Sequence, residues 1–388
     1  MQGGNDTFGF VHRLLKIVRQ KHHLNMKKKI LIIASEPATG MQHFAVSIYK
    51  LLQESLFVDI FLLTQNKSKS DYWLHINQSH HVKHIDYPNN LILRLMNKII
   101  PYKIILAFRR IVESEGIIDV HLITGDYSLW LFVFFVYKRY NLYYTVHDLI
   151  PHETYSGTSL LSKLFNKYLY MGERVIRECS QNLMTCSFAQ YNALIQKYPS
   201  KNNSFVHFPS LINAYMINGN LKVIELNKEK DYILFFGRVD FYKGVDVLVN
   251  AYLKSDIKNK LVIAGYGTTD LQNDNRIIRI NRFIRDEEIK DLFSKASVIV
   301  LPYRSVTMSG VFSIAMYFKK RIIASDISFF LEYKNPCITY FKTEDVDSLS
   351  AAIIETLANK KDINDVYPLF YSDSLIRNEM ELFYNNRT

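Results

Sequence analysis

Short apolar runs alternate with amphipathic stretches along most of this chain. ILIIAS after Lys29, VDIFLLT, IIDVHLITG, LYYTV (142–146), NLMTCS and FVHFPSL are apolar throughout rather than every second residue. That suits parallel strands buried on both faces. Between them, FAVSIYKLLQE, residues 160–178 and residues 187–197 carry apolar side chains at helical spacing. The second half repeats the pattern: YILFF, KLVIAG, SVIVLPY and RIIAS predict strands, and IIRINRFI a strand or loop. Helices are predicted after Gly244, over DEEIKDLFSKA with Asp286 as its cap, from SGVFSIAMYF and over 349–357. A polar, irregular connector separates the halves.

This grammar predicts an α/β protein of two doubly wound domains. The first spans 26–212, a linker 213–230, the second 231–364, and an aromatic-rich helical segment 365–388. Residues 1–25 stand apart. Their segment FVHRLLKIVRQKHH reads either as an amphipathic, surface-seeking helix or as an extension ahead of MKKKILIIAS. Residues 91–115 carry Leu93, Met96, Ile99 and Ile100 among Arg94, Lys98, Lys103, Arg109 and Arg110. The pattern predicts a solvated helix with a buried apolar stripe, the alternative being a face laid on anionic lipid.

Composition narrows the class. A chain of 388 residues is long for one core, and 48% hydrophobic with 22% charged residues is ordinary for a globular protein. A formal charge of +11 favours an anionic partner. The basic residues are dispersed over several elements without a recognised module, which argues against nucleic acid. Three cysteines (Cys179, Cys186, Cys337) without a CxxC pair argue against disulfides and zinc and favour a reducing cytoplasm. The longest apolar run, 129–136, is too short to span a bilayer, so a membrane contact would be peripheral, at an inner face.

Candidate chemistry concentrates at strand ends. YILFFGRVDFYKG delivers Arg238 and Lys243 just beyond Gly237, where open α/β sheets hold ligands. A guanidinium fork and a mobile ammonium suit a diphosphate. Thr307, Ser309 and the amides of Gly310 and Val311 open a helix after SVIVLPY, an anion site by geometry and dipole or else an ordinary cap. LYYTVHDLIPHE brings His147 to a strand end, and Gly40 sits near a helix start. Gly265-Tyr266-Gly267 lacks the third glycine of a dinucleotide fingerprint. Asp345-Val346-Asp347 opens a helix and reads as its cap, not as a metal site.

In order and spacing, FFGRVDFYKGVDVLVNAY, LVIAGYG, RDEEIKDLFSKASVIVLPY, SGVFSIAMYFKKRIIASD and LEY resemble glycosyltransferase family 4. In the first half, KKKILIIAS, TGMQHFAVSIY and TVHDLIPHE carry the likeness. The resemblance implies a GT-B fold with the last helix crossing back to the first domain. It implies a retaining hexosyltransferase that uses a nucleotide-sugar and needs no metal or other cofactor. The acceptor would be a glycan or lipid-linked glycan in surface-polysaccharide assembly. By the same resemblance Arg238 and Lys243 match the cation pair on the donor diphosphate, and Ser309, Gly310 and Val311 the helix start that binds it. His147 matches the histidine beside the donor sugar, Gly40 the glycine loop, and Arg282 and Phe283, within 281–284, the frame of the base. The family's two glutamates near that helix start fall on Val306 and Ile314 here. Two alternatives stay open: a GT-B isomerase or hydrolase acting on the nucleotide-sugar, and, motivated by the absence of those acids, a non-catalytic sugar- or lipid-binding scaffold.

Overall fold

The computed structural model describes residues 27–36, 39–66, 81–149, 160–267, 272–359 and 365–385. The expected N-terminal extension, 1–25, lies outside them. Seven strands form a first parallel sheet: β1 (Lys28–Ala34), β2 (Val58–Asn66), β3 (Val82–Asp86), β4 (Asp119–Leu122), β5 (Asn141–Thr145), β6 (Asn182–Thr185) and β7 (Asn202–Phe205). Their order is β3-β2-β1-β4-β5-β6-β7. Six more, β8 (Tyr232–Phe236), β9 (Leu261–Ala264), β10 (Ile277–Ile280), β11 (Ala296–Leu301), β12 (Arg321–Ser325) and β13 (Ile338–Phe341), form a second, ordered β10-β9-β8-β11-β12-β13. In each sheet the order reverses beside the first strand, between β1 and β4 and between β8 and β11. Crevices outside the carboxyl ends of such strands are where ligands bind.

Continuous apolar runs become strands here because both sheet faces are covered. On β1, Ile30, Ile32 and Ala34 enter one core, and Leu31 and Ile33 enter another. The helices of the first domain are α1 (Thr39–Gln53), α2 (Leu91–Ile99), α3 (Tyr102–Glu115), α4 (Trp130–Val136), α5 (Leu160–Cys179) and α6 (Phe188–Lys197). Then come α7 (Ala214–Asn218), α8 (Val245–Lys254), α9 (Asp286–Ser294), α10 (Gly310–Tyr317), α11 (Ser328–Leu331) and α12 (Val346–Ala358). α13 (Tyr367–Phe370) and α14 (Asp373–Asn385) close the chain.

α14 crosses back and packs on α1 of the first domain. The Tyr384 hydroxyl meets His121 Nδ1 at 2.7 Å, and the Lys28 ammonium donates to the Tyr384 carbonyl at 2.6 Å. Arg377 donates to Leu51 O at 2.8 Å. A second tie runs through Glu332, just after α11. Its carboxylate accepts from the Ser187 hydroxyl at 3.0 Å and from the amides of Phe188 (3.0 Å) and Ala189 (2.9 Å). A residue of the second sheet's domain thus caps α6 of the first.

Three local expectations are corrected. The last strand of the first sheet is Asn202–Phe205, ahead of the expected FVHFPSL. It is an edge strand with half-buried polar side chains, which hydrophobic pattern alone does not reveal. Residues 91–115 break at Pro101 into α2 and α3, and on α2 the apolar side chains face outward. α9 begins at Asp286 instead of being capped by it. Glu288 reaches back to the Arg285 amide (2.9 Å), and Asp286 accepts from Asn213 (2.9 Å). Among the described residues no helix is long and apolar enough to cross a membrane.

Candidate active site

The loop after β8 is fixed by what only glycine permits. Gly237 has φ +128° and Gly244 φ +63°, and a Cβ on Gly244 would lie 1.9 Å from Pro302 O. Between them a 3₁₀ turn, Phe241–Lys243, aims Lys243 inward. The ammonium lies 3.6 Å from the Tyr303 ring centroid and 5.0 Å from that of Tyr242. The side chain is only 9% exposed and has no hydrogen bond among the described residues. Burial first, then the neighbouring Arg238 charge, bring its pKa down to about 7 against the opposing pull of Asp240. Arg238 is exposed and pairs with Asp240. Tyr242 has both Arg238 and Asp148 of the first domain as charged neighbours.

The loop after β11 meets this one directly. A Cβ on Gly237 would sit 3.8 Å from Val311 Cγ2, so the first turn of α10 borders the β8 loop. No side chain caps α10, and its first turn carries no acidic residue, leaving its first amides unspent. Ser309, its N-cap residue, is buried with its hydroxyl unpartnered in hydrogen-bond geometry, as is that of Tyr303. Gly310 is also closely packed: a Cβ there would lie 2.4 Å from Leu211 Cδ1 of the first domain, so that side chain would have to shift. Ile314 is buried and Val306 packs on the core, so both places expected to hold acids serve packing.

Across the crevice, β5 leads through Val146 to His147. Its Nε2 lies 2.7 Å from Ile123 O, which makes Nε2 the protonated nitrogen. Nδ1 is buried without a partner, and burial lowers the pKa, so the ring is neutral with a lone pair unspent. Phe44 holds the ring edge-on at 5.2 Å. Next to it, Asp148 accepts a hydrogen bond from Thr307, closing the two domains over the gap.

Not every expected residue joins this constellation. The Arg282 guanidinium is spent on Glu225 (2.6 and 2.9 Å) and Glu288 (2.7 and 2.8 Å), where it ties the linker to α9. Its role is structural. Phe283 is 66% exposed, its ring open to solvent. Gly40 lies exposed in the first turn of α1, with no protein atom within 4 Å of a would-be Cβ. Asp345 accepts from the amides of Asp347 (3.1 Å) and Ser348 (3.0 Å), the expected cap of α12.

Two supports escaped the sequence reading. Arg304 joins the loops: it bonds Asp246 (2.7 and 2.9 Å), Glu344 (2.7 Å) and Phe241 O (2.6 Å), and lies over the Phe241 ring. Its position straight after a strand was the available signal. Behind Asp148, buried Arg177 donates to Glu173 at 3.2 Å and leans on the Asp148 carbonyl at 3.4 Å. Burial pushes Glu173 up to about 7. Their i,i+4 spacing on α5 is the sequence signal for a helical ion pair, though not for its burial.

Residues 230–359 match the family model described as Glycosyl transferases group 1. The matched residues contain β8 to β13, and with them both loops of the site. The whole chain shares its fold with Anabaena HepE in complex with UDP and glucose: TM-score 0.66, 14% identity, 91% of this chain and 98% of that one. It does so equally with sucrose-phosphate synthase from Thermosynechococcus elongatus: TM-score 0.66, 16% identity, 92% and 98%. UDP-GlcNAc 2-epimerase from Methanocaldococcus jannaschii shares the fold as well: TM-score 0.55, 12% identity, 92% and 100%. These are GT-B proteins. In sequence, the chain is 25% identical over 213 residues to an uncharacterized 41.2 kDa protein in the cps region of Klebsiella pneumoniae. That match spans 52% of this chain and about half the length of the relative, 56%.

Proposed function

We propose that the protein is a retaining glycosyltransferase, moving a hexose from a nucleotide-sugar to a glycan or lipid-linked glycan. The observation that carries this is Lys243, a buried ammonium without a hydrogen-bonded counter-ion, in the loop whose Gly237 borders the uncapped first turn of α10. A buried cation is unfavourable until an anion joins it. A diphosphate bridging Lys243, Arg238 and the amides of Gly310 and Val311 supplies that anion. As the bond from C1 to the distal phosphate breaks and the acceptor oxygen bonds to C1, charge accumulates on the departing diphosphate. Both cations and the helix start stabilise it there. The acceptor's proton ends on the diphosphate. No step of this reading calls for a metal ion.

His147 contributes Nδ1 as an acceptor for a sugar hydroxyl, a contact that orients the donor. Phe283 lies against the base. The acceptor binds the first domain, and closure through Thr307 and Asp148 keeps water from C1. The working place is the cytoplasmic face of a membrane.

The test begins with a thermal-shift panel of nucleotide-sugars, in which a true donor raises the midpoint by mass action. Arg238→Ala with Lys243→Ala then abolishes transfer. Undiminished transfer by that double variant would refute the assignment. Sugar-nucleotide conversion without acceptor would favour an isomerase or hydrolase instead.

A further inference from the structure

The first sheet has its own switch point, and a cavity of about 380 Å³ opens there. Ser35 and Glu36 reach it from the end of β1, and Asp126 from beyond β4. Arg94 and Lys98, one helical turn apart, reach it from α2. Asp126 is fully occupied: its carboxylate accepts from the Ser35 amide and hydroxyl (both 2.6 Å) and from the Thr124 amide and hydroxyl (both 2.9 Å). Glu36 lies near Tyr87, as does Arg94. Arg94 gives Nε to Pro88 O at 2.8 Å and leaves its terminal nitrogens unbonded among the described residues.

α2 itself is inside out. Its buried residue is the polar Asn97, which exchanges hydrogen bonds with Gln65 at 3.0 and 3.3 Å. Leu91, Ile92, Leu93, Leu95, Met96 and Ile99 are each 47–69% exposed. Asn90 caps the helix through the Ile92 amide at 2.8 Å, so it is a specified element and not a frayed one. Apolar side chains massed on one exposed face and flanked by cations match a bilayer with anionic head groups.

On the transferase reading above, we propose that this cavity is the acceptor subsite and takes the phosphate head of a membrane-resident lipid. The apolar face of α2 lies in the acyl boundary, and Arg94 and Lys98 hold the phosphate at the mouth. The hydroxyl-bearing end of the acceptor then points along Ser35 and Glu36 toward the interdomain crevice. A water-soluble anion would explain the two cations but not the outward leucines.

Equilibrium binding of farnesyl phosphate in neutral micelles tests this, with farnesol and inorganic phosphate as separate arms. We expect farnesyl phosphate to bind, and Arg94→Ala with Lys98→Ala to weaken it about tenfold or more. Leu91→Ser with Leu95→Ser should weaken it similarly, because the tail loses its apolar track. Both variants should keep their thermal midpoint and their binding of a UDP, ADP and GDP panel. Farnesol binding as tightly, inorganic phosphate competing at equal concentration, or full affinity in the Arg94/Lys98 variant would each overturn the proposal. If the wild type binds farnesyl phosphate as described but no nucleotide, the donor reading fails and the lipid subsite stands.

Discussion

Lys243 is stable where it is only at a cost to the fold. Burial disfavours its charge, so in the free protein it loses its proton near neutrality. Because the unfolded chain holds that proton up to about pH 10.5, stability rises with pH between about 7 and 10.5 by this residue's share. Lys243→Met should therefore flatten that slope and hold or raise the thermal midpoint, while donor affinity falls by about two orders of magnitude. On the proposed donor reading, bound diphosphate restores the ammonium. Donor affinity should weaken as pH rises from 6.5 to 8.5, approaching about tenfold per pH unit. Calorimetry in buffers of different ionisation heat should detect proton uptake on binding, and none in Lys243→Met. Gly244→Ala is a different case, since a Cβ would collide with Pro302 O at a left-handed backbone position. It should lose roughly 2–4 kcal/mol of stability, read by urea titration, together with donor binding.

Elements were legible where one physical signal dominated. Continuous apolar runs marked the buried strands, since both faces of each sheet are covered. β7 was displaced because Asn202, Asn203 and Ser204 satisfy an edge position by backbone pairing and carry no apolar signal. Residues 91–115 were correctly amphipathic, but periodicity fixes a stripe and not the side it faces. The inward face of α2 is the Asn97–Gln65 pair, a partnership distant in sequence. The site divides likewise. Arg238, Lys243, Ser309 and Gly310 were readable as cations and a helix start at strand ends. Arg282 looked the same locally, yet Glu225 and Glu288 claim it from outside the motif. Arg304 carries the converse lesson: it touches no expected ligand position and still holds the β8 loop to the β11 loop. Arg304→Ala should weaken donor binding through that loop and cost about 1–3 kcal/mol, with both readings recovered poorly by Lys, which lacks the fork.

At the scale of the molecule, the last helix belongs energetically to the first domain. Lys28 is held by the Tyr384 carbonyl, Tyr143 (2.9 Å) and Asp119 (3.0 Å), while His121 links Tyr384 to Thr145 (2.8 Å). Glu381 bonds Ser55 in the same seam. Tyr384→Ala removes a fully buried ring and leaves His121 short of a partner. It should destabilise the protein by about 3–5 kcal/mol, measurable as an earlier unfolding transition. Glu332 has the opposite character, because its carboxylate leaves home to finish another domain's helix. Whenever the halves swing apart, the amides of Phe188 and Ala189 are bared to water. Deuterium uptake at those two positions would thus serve as an internal clock for gaping, slowing when a donor clamps the halves shut.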